Sequence, residues 1–107
     1  MRTLAQKALI DMQMPANLVG FRYILETLNF LSETQSSVSK AIEKTAEQNN
    51  VTSNTVLRGI DKAFKDTRLL GNQKMVDYWL SGASTLANTL YTFYYRLDLS
   101  MKLGGNN

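Results

Sequence analysis

Apolar residues recur along this chain at intervals of three and four, with few alternating β-branched stretches and a single proline, so the prevailing period is helical. Leu4, Ala8 and Ile10, set among Lys7 and Asp11, predict a short first helix. It must stop at Met14, because the residue before a proline is pushed out of the helical region. Pro15 is then expected in the first turn of a second helix, where a missing N–H is tolerated. Leu18, Phe21, Ile24 or Leu25, Leu28 and Leu31 carry that helix for about fifteen residues. Gly20 inside it weakens the helix by about 1 kcal/mol relative to alanine, which suggests a place of close helix packing more than a turn.

Residues 32–37 read as a polar connection, with Ser36 or Ser37 available to cap a third helix through Val38, Ile42 and Ala46, ended by Asn49 and Asn50. Thr52 or Ser53 can cap a fourth, whose Val56, Ile60, Ala63, Phe64 and Thr67 share one face. Gly71 and Asn72 punctuate the next boundary. A fifth helix holds Met75, Val76, Trp79 and Leu80 before Ser81 and Gly82. The sixth, from about Thr85 to Lys102, carries Leu86, Leu90, Phe93 or Tyr94, Leu97 and Met101, and residues 104–107 read as a frayed polar tail. The expected fold is therefore all-α, one compact six-helix domain.

The length of 107 residues suits a single domain, since one hydrophobic core is usually built from roughly 100 to 150 residues. Cysteine and histidine are both absent, which removes disulfides, thiol nucleophiles, imidazole bases and the usual soft metal ligands. The nine carboxylates are spread evenly among Lys and Arg, as on solvated helix faces, and do not suggest the paired acids of a glycosidase. The expectation is a protein that is not an enzyme and takes no cofactor, metal or small-molecule substrate. No apolar run approaches the roughly 20 residues of a membrane span. Nor does the N-terminus resemble a signal peptide, so a cytoplasmic location without membrane contact is expected. The formal net charge is +3, and residues 34–68 hold six basic and four acidic side chains, two of those three net charges.

That middle third also holds the candidate chemistry. A helix of about ten residues, a turn and a second capped helix form the helix-turn-helix pattern, here over about residues 38–67. Ala46 is small where the two helices must approach, Val51 plugs the turn, and Val56 and Ile60 anchor the second helix. Asn54, Arg58, Asp61, Lys62 and Lys65 point the other way, with Thr55 near the start. Arginine can pair bidentately with guanine and asparagine with adenine, so Asn54, Thr55, Arg58 and Lys62 are candidate base contacts. Thr52, Ser53, Lys65 and Arg68 are candidate phosphate contacts. Any amphipathic helix pair in a small bundle also presents a polar outer face, and Asp61 and Asp66 thin the cationic footprint.

The run Met14-Pro15-Ala16-Asn17-Leu18-Val19-Gly20-Phe21-Arg22-Tyr23-Ile24-Leu25-Glu26 resembles the V-P-A-x-x-x-G-x-x-Y-L-R-E opening of the C-terminal DNA-binding domain of the stage-zero sporulation protein A response regulators of Firmicutes. Residues 46–60 resemble that family's A-K-K-Y-N-T-T-A-S-R-V-E-R-A-I, and Gly71-Asn72 stands where the family has G-N after its recognition helix. The likeness implies a helix-turn-helix transcriptional regulator of a Firmicute, or of a plasmid or other mobile element. It places Arg58 at a base-contacting arginine, Lys62 at a basic or imidazole position and Thr52 at a threonine of the helix start. Leu57 stands where the family has a base-reading glutamate, and Thr55 and Asp61 where it has arginines. The receiver domain that normally precedes the module is absent from this sequence.

Four of the ten aromatic residues, Tyr91, Phe93, Tyr94 and Tyr95, fall in five consecutive positions of the last helix. A stripe of Leu86, Leu90, Phe93 and Leu97 belongs in the core, leaving Tyr91 and Tyr95 as a candidate dimer or partner interface. The alternative is that Trp79 and the fifth helix fold over them. The leading expectation is a homodimeric regulator binding double-stranded DNA through helix four. The other is a protein-interaction module that has lost its DNA readers and binds a regulator through an exposed Leu57 beside Tyr91 and Tyr95.

Overall fold

The computed structural model describes residues 1–104 and contains six helices: α1 (Arg2–Asp11), α2 (Val19–Thr34), α3 (Val38–Gln48), α4 (Ser53–Leu70), α5 (Gln73–Leu80) and α6 (Leu86–Gly104). No strand occurs among the described residues, and the fold is all-α as expected. Of the tail expected over residues 104–107, Gly104 belongs to α6 and the rest lies outside the described residues.

Short polar side chains start most of the helices. Ser37 Oγ accepts from the Lys40 N–H at 3.2 Å, Thr52 Oγ1 from the Thr55 N–H at 3.1 Å, and Asn72 Oδ1 from the Met75 N–H at 3.3 Å. Each satisfies one of the donors that a helix N-terminus leaves unpaired. Thr85 does the same for Asn88 at the start of α6. The beginning of α2 differs from the expectation. Pro15 does not enter the helix; its carbonyl accepts from the Leu18 N–H at 3.2 Å in a preceding turn, and Leu18, extended at φ −71° and ψ 136°, is the residue from which α2 departs. At its other end α2 runs to Thr34, three residues into the expected connection, and stops where Gln35 turns left-handed.

α2 is the central element, touching α1, α3, α4 and α6. Phe21, Tyr23, Ile24, Leu25, Leu28 and Leu31 are all buried along it. Its crossing with α4 brings Gly20 against Gly59. A Cβ on Gly20 would collide with the Gly59 carbonyl oxygen and lie 2.7 Å from Ala63 Cβ, so only glycine allows this approach. In α1 the buried residues are Ala5, Ala8 and Leu9, whereas Ile10 is exposed. At the other end of the core Phe93 packs perpendicular to Phe64 with centroids 6.4 Å apart and edge-to-face with Trp79 at 5.8 Å, tying α4, α5 and α6 together. Trp79 thus packs on Phe93 while Tyr91 and Tyr95 stay open to solvent. Met101, placed on the core stripe by spacing, is exposed near the end of α6.

Candidate nucleic-acid interface

α3 and α4 are joined by the four residues Asn49, Asn50, Val51 and Thr52, held by backbone bonds from the Val51 N–H to Ala46 O at 3.0 Å and from the Asn50 N–H to Glu47 O at 3.2 Å. Asn50 takes the left-handed conformation at φ 54°, which asparagine tolerates better than most residues. Val51 is half-buried against the core, as expected of a residue that plugs the turn, and Ala46 is buried beneath it.

Two polar contacts from α2 fix this unit, and neither was legible in the helical pattern. Glu26, only 8% exposed, accepts a hydrogen bond from Asn49 Nδ2 at 2.6 Å, and the same amide donates to Thr45 O at 2.8 Å. Arg22, one turn earlier on α2, approaches Glu26 at 3.9 Å. One turn along α3, the buried Thr45 hydroxyl donates to Ala41 O at 3.0 Å and lies 2.9 Å from the Thr27 hydroxyl. Thr45 has one proton, already engaged by Ala41, so Thr27 is the donor between them. A threonine at core spacing was the only available signal for this pair. A glutamate on a helix otherwise reads as solvated.

On α4 the residues expected in the core, Val56, Ile60, Ala63, Phe64 and Thr67, are all buried. Asn54, Thr55, Arg58, Lys62 and Lys65 are exposed together on the opposite side, and Ser53 is half-buried in the first turn. Arg58 has neither a hydrogen bond nor an ion pair among the described residues, whereas the two lysines are engaged along the helix. Lys62 pairs with Asp66 at 3.0 Å and Lys65 with Asp61 at 2.9 Å. Exposed pairs of this kind contribute a few tenths of a kcal/mol and exchange readily for another anion. Thr52 Oγ1 lies 3.0 Å from Thr55 Oγ1 besides capping the helix, so the two hydroxyls form one small polar cluster at the start of α4.

Two expected participants sit elsewhere. Arg68 turns inward: its guanidinium donates to Thr89 Oγ1 at 2.9 Å and to Ala83 O at 3.3 Å, joining α4 to the α5–α6 connection and α6. It is a clamp within the fold, its guanidinium engaged by these partners. Leu57 is half-buried against the core and lines a small apolar hollow with Val38, Ile42 and Ala87, so it is not the exposed apolar residue that the interaction-module reading requires.

Among the described residues no three His, Cys, Asp or Glu side chains come together to hold a metal ion, and no helix is long and apolar enough to cross a membrane. Comparisons with protein-family models, with curated proteins and with solved structures each return no match to this chain.

Proposed function

We propose that the protein is a small DNA-binding transcriptional regulator in which α3, its turn and α4 act as a helix-turn-helix, with α4 as the helix that enters the major groove. The observation that carries this reading is Arg58, exposed and unpaired among the described residues, on the same outward face as Asn54, Lys62 and Lys65. Arg58 reads a base edge, with Asn54, Thr55 and Lys62 beside it, while Thr52, Ser53 and Lys65 hold phosphates. Three outward basic residues of α4, Arg58, Lys62 and Lys65, against Asp61 and Asp66 supply a modest cationic footprint. Two rigid contacts support its use as a reading head, because Glu26–Asn49 and Thr27–Thr45 tie the turn and α3 to the central helix. Two copies on two half-sites multiply these few contacts. The packed position of Leu57 favours this reading over an interaction module built on its exposure.

Fluorescence anisotropy with fragments of the native host's DNA at two salt concentrations tests the proposal. Arg58→Ala is expected to abolish sequence preference. Lys65→Ala is expected to weaken binding to all sequences alike and to reduce the salt slope by about one. Absence of binding to any fragment at micromolar protein and low salt refutes the reading.

A further inference from the structure

Tyr91, Tyr95, Leu99 and Leu103 follow one another at four-residue intervals on α6 and are 59%, 57%, 45% and 67% exposed. Residues four apart on a helix form a continuous ridge, so these side chains line up along the outer surface of α6. At the Leu99 and Leu103 end the ridge borders a groove of about 520 Å³ between α5 and α6, walled by Tyr78 and Trp79. At the other end two exposed tyrosine rings project clear of that groove. One face of one copy therefore carries a convex half and a concave half, displaced along the same helix.

We propose that this face is a self-association surface. Two copies pack α6 against α6 in opposite directions about a two-fold axis, with the Tyr91 and Tyr95 end of each ridge set against the Leu99 and Leu103 end and α5–α6 groove of the other. The displaced halves argue for a second copy as the occupant, since a two-fold brings each half onto its complement without any further surface. Ridges of four-residue spacing on both helices interdigitate when the helices cross at about 50°. The groove is large enough to receive a tyrosine ring. Area points the same way: three tyrosines, Tyr78 included, and two leucines offer on the order of 600 Å² per copy, near the roughly 800 Å² per partner of a standard interface. Beside the ridge, Asp98 and Lys102 form an ion pair at 3.0 Å, which removes net charge from that flank. Hydrogen bonding to Asp98, reinforced by its charge, raises the Lys102 pKa above its ordinary value.

The inference rests only on the two-copy element of the DNA reading, and association is measured without DNA, so either can fail alone. Sedimentation equilibrium of the whole chain from low micromolar to millimolar concentration is expected to show a monomer–dimer equilibrium. Tyr91→Asp with Tyr95→Asp is expected to weaken it by roughly 30-fold or more, as for loss of buried aromatic anchors, with helix content and melting temperature retained because both rings are exposed in the single copy. Since the chain lacks cysteine, a mixture of Tyr95→Cys and Leu99→Cys proteins is expected to form the mixed disulfide faster than either protein forms its own. A monomer throughout the range, a dimer indifferent to the aspartates, or no preference for the mixed disulfide would overturn the proposal, the first assigning the face to a different partner.

Discussion

Gly20 of α2 and Gly59 of α4 meet where the two helices cross, and the two positions are not equivalent. A methyl group on Gly20 would overlap the Gly59 carbonyl and crowd Ala63, both parts of a packed helix that cannot yield locally. A methyl group on Gly59 would meet side chains, the Tyr23 ring at 3.0 Å and Val19 Cγ1 at 3.4 Å, and a side chain can shift by a few tenths of an ångström. Gly20→Ala is expected to lower stability by about 1–3 kcal/mol through overpacking. Gly59→Ala is expected to be nearly neutral, because a gain in helix propensity of about 1 kcal/mol offsets the tight contact. Urea denaturation followed by circular dichroism distinguishes the two, and equal losses would contradict the asymmetry.

Among the described residues Glu26 has Asn49 as its one close hydrogen-bond donor, since Arg22 stands off at 3.9 Å. Asn49→Ala would leave a nearly buried carboxylate without that donor. A loss of about 1.5–3 kcal/mol is expected, the range for hydrogen bonds to charged groups. Glu26→Gln in the Asn49→Ala background should recover part of it, because a neutral amide is less costly to bury than a carboxylate. A double-mutant cycle by chemical denaturation measures the coupling, and additive effects would show that the contact does not hold the turn.

Arg68 and Lys65 lie one turn apart on α4 with different predicted roles. Arg68→Ala removes the donors to Thr89 and Ala83 and is expected to cost about 1–3 kcal/mol, visible as a lower thermal midpoint. Lys65→Ala breaks an exposed pair with Asp61 and should alter stability by less than about 0.5 kcal/mol while weakening DNA binding. Reversal of the two stability effects would place Arg68 at the surface and Lys65 in the fold.

Thr67 is buried on the core face of α4, and its hydroxyl has no hydrogen-bond partner among the described residues. An unsatisfied buried hydroxyl opposes folding, so Thr67→Val, which keeps the shape and removes the polar atom, is expected to be neutral or stabilising by up to about 1 kcal/mol. A clear loss of stability in thermal melts would mean that the hydroxyl is engaged in solution.

The helices themselves were legible because local signals state them: apolar spacing in the α2 and α4 stripes, Ser37 and Thr52 each as one of two candidate caps, and Gly71-Asn72 as a boundary. Gly20 was also readable as a close-packing position, since a glycine inside a helix needs a reason to be there. Its partner Gly59 was not, because the register between two helices is decided by how their surfaces fit. The row from Asn54 to Lys65 followed from the core stripe on its reverse side, for a helix with one buried face must expose the other.

What pattern alone determined, then, was the all-α class, six elements, and which residues of α4 face outward, all consequences of a 3.6-residue period and local capping chemistry. Tertiary structure decided which polar groups are already engaged. Arg68, Glu26 and Thr45 look like surface residues or interchangeable polar ones in the chain, yet their partners lie 15 to 23 positions away. Tyr91 and Tyr95 could have lain under α5 or in solvent, and packing of Trp79 onto Phe93 settled it. A hydrogen bond or a ring contact depends on distances between elements, and a local period carries no information about those distances.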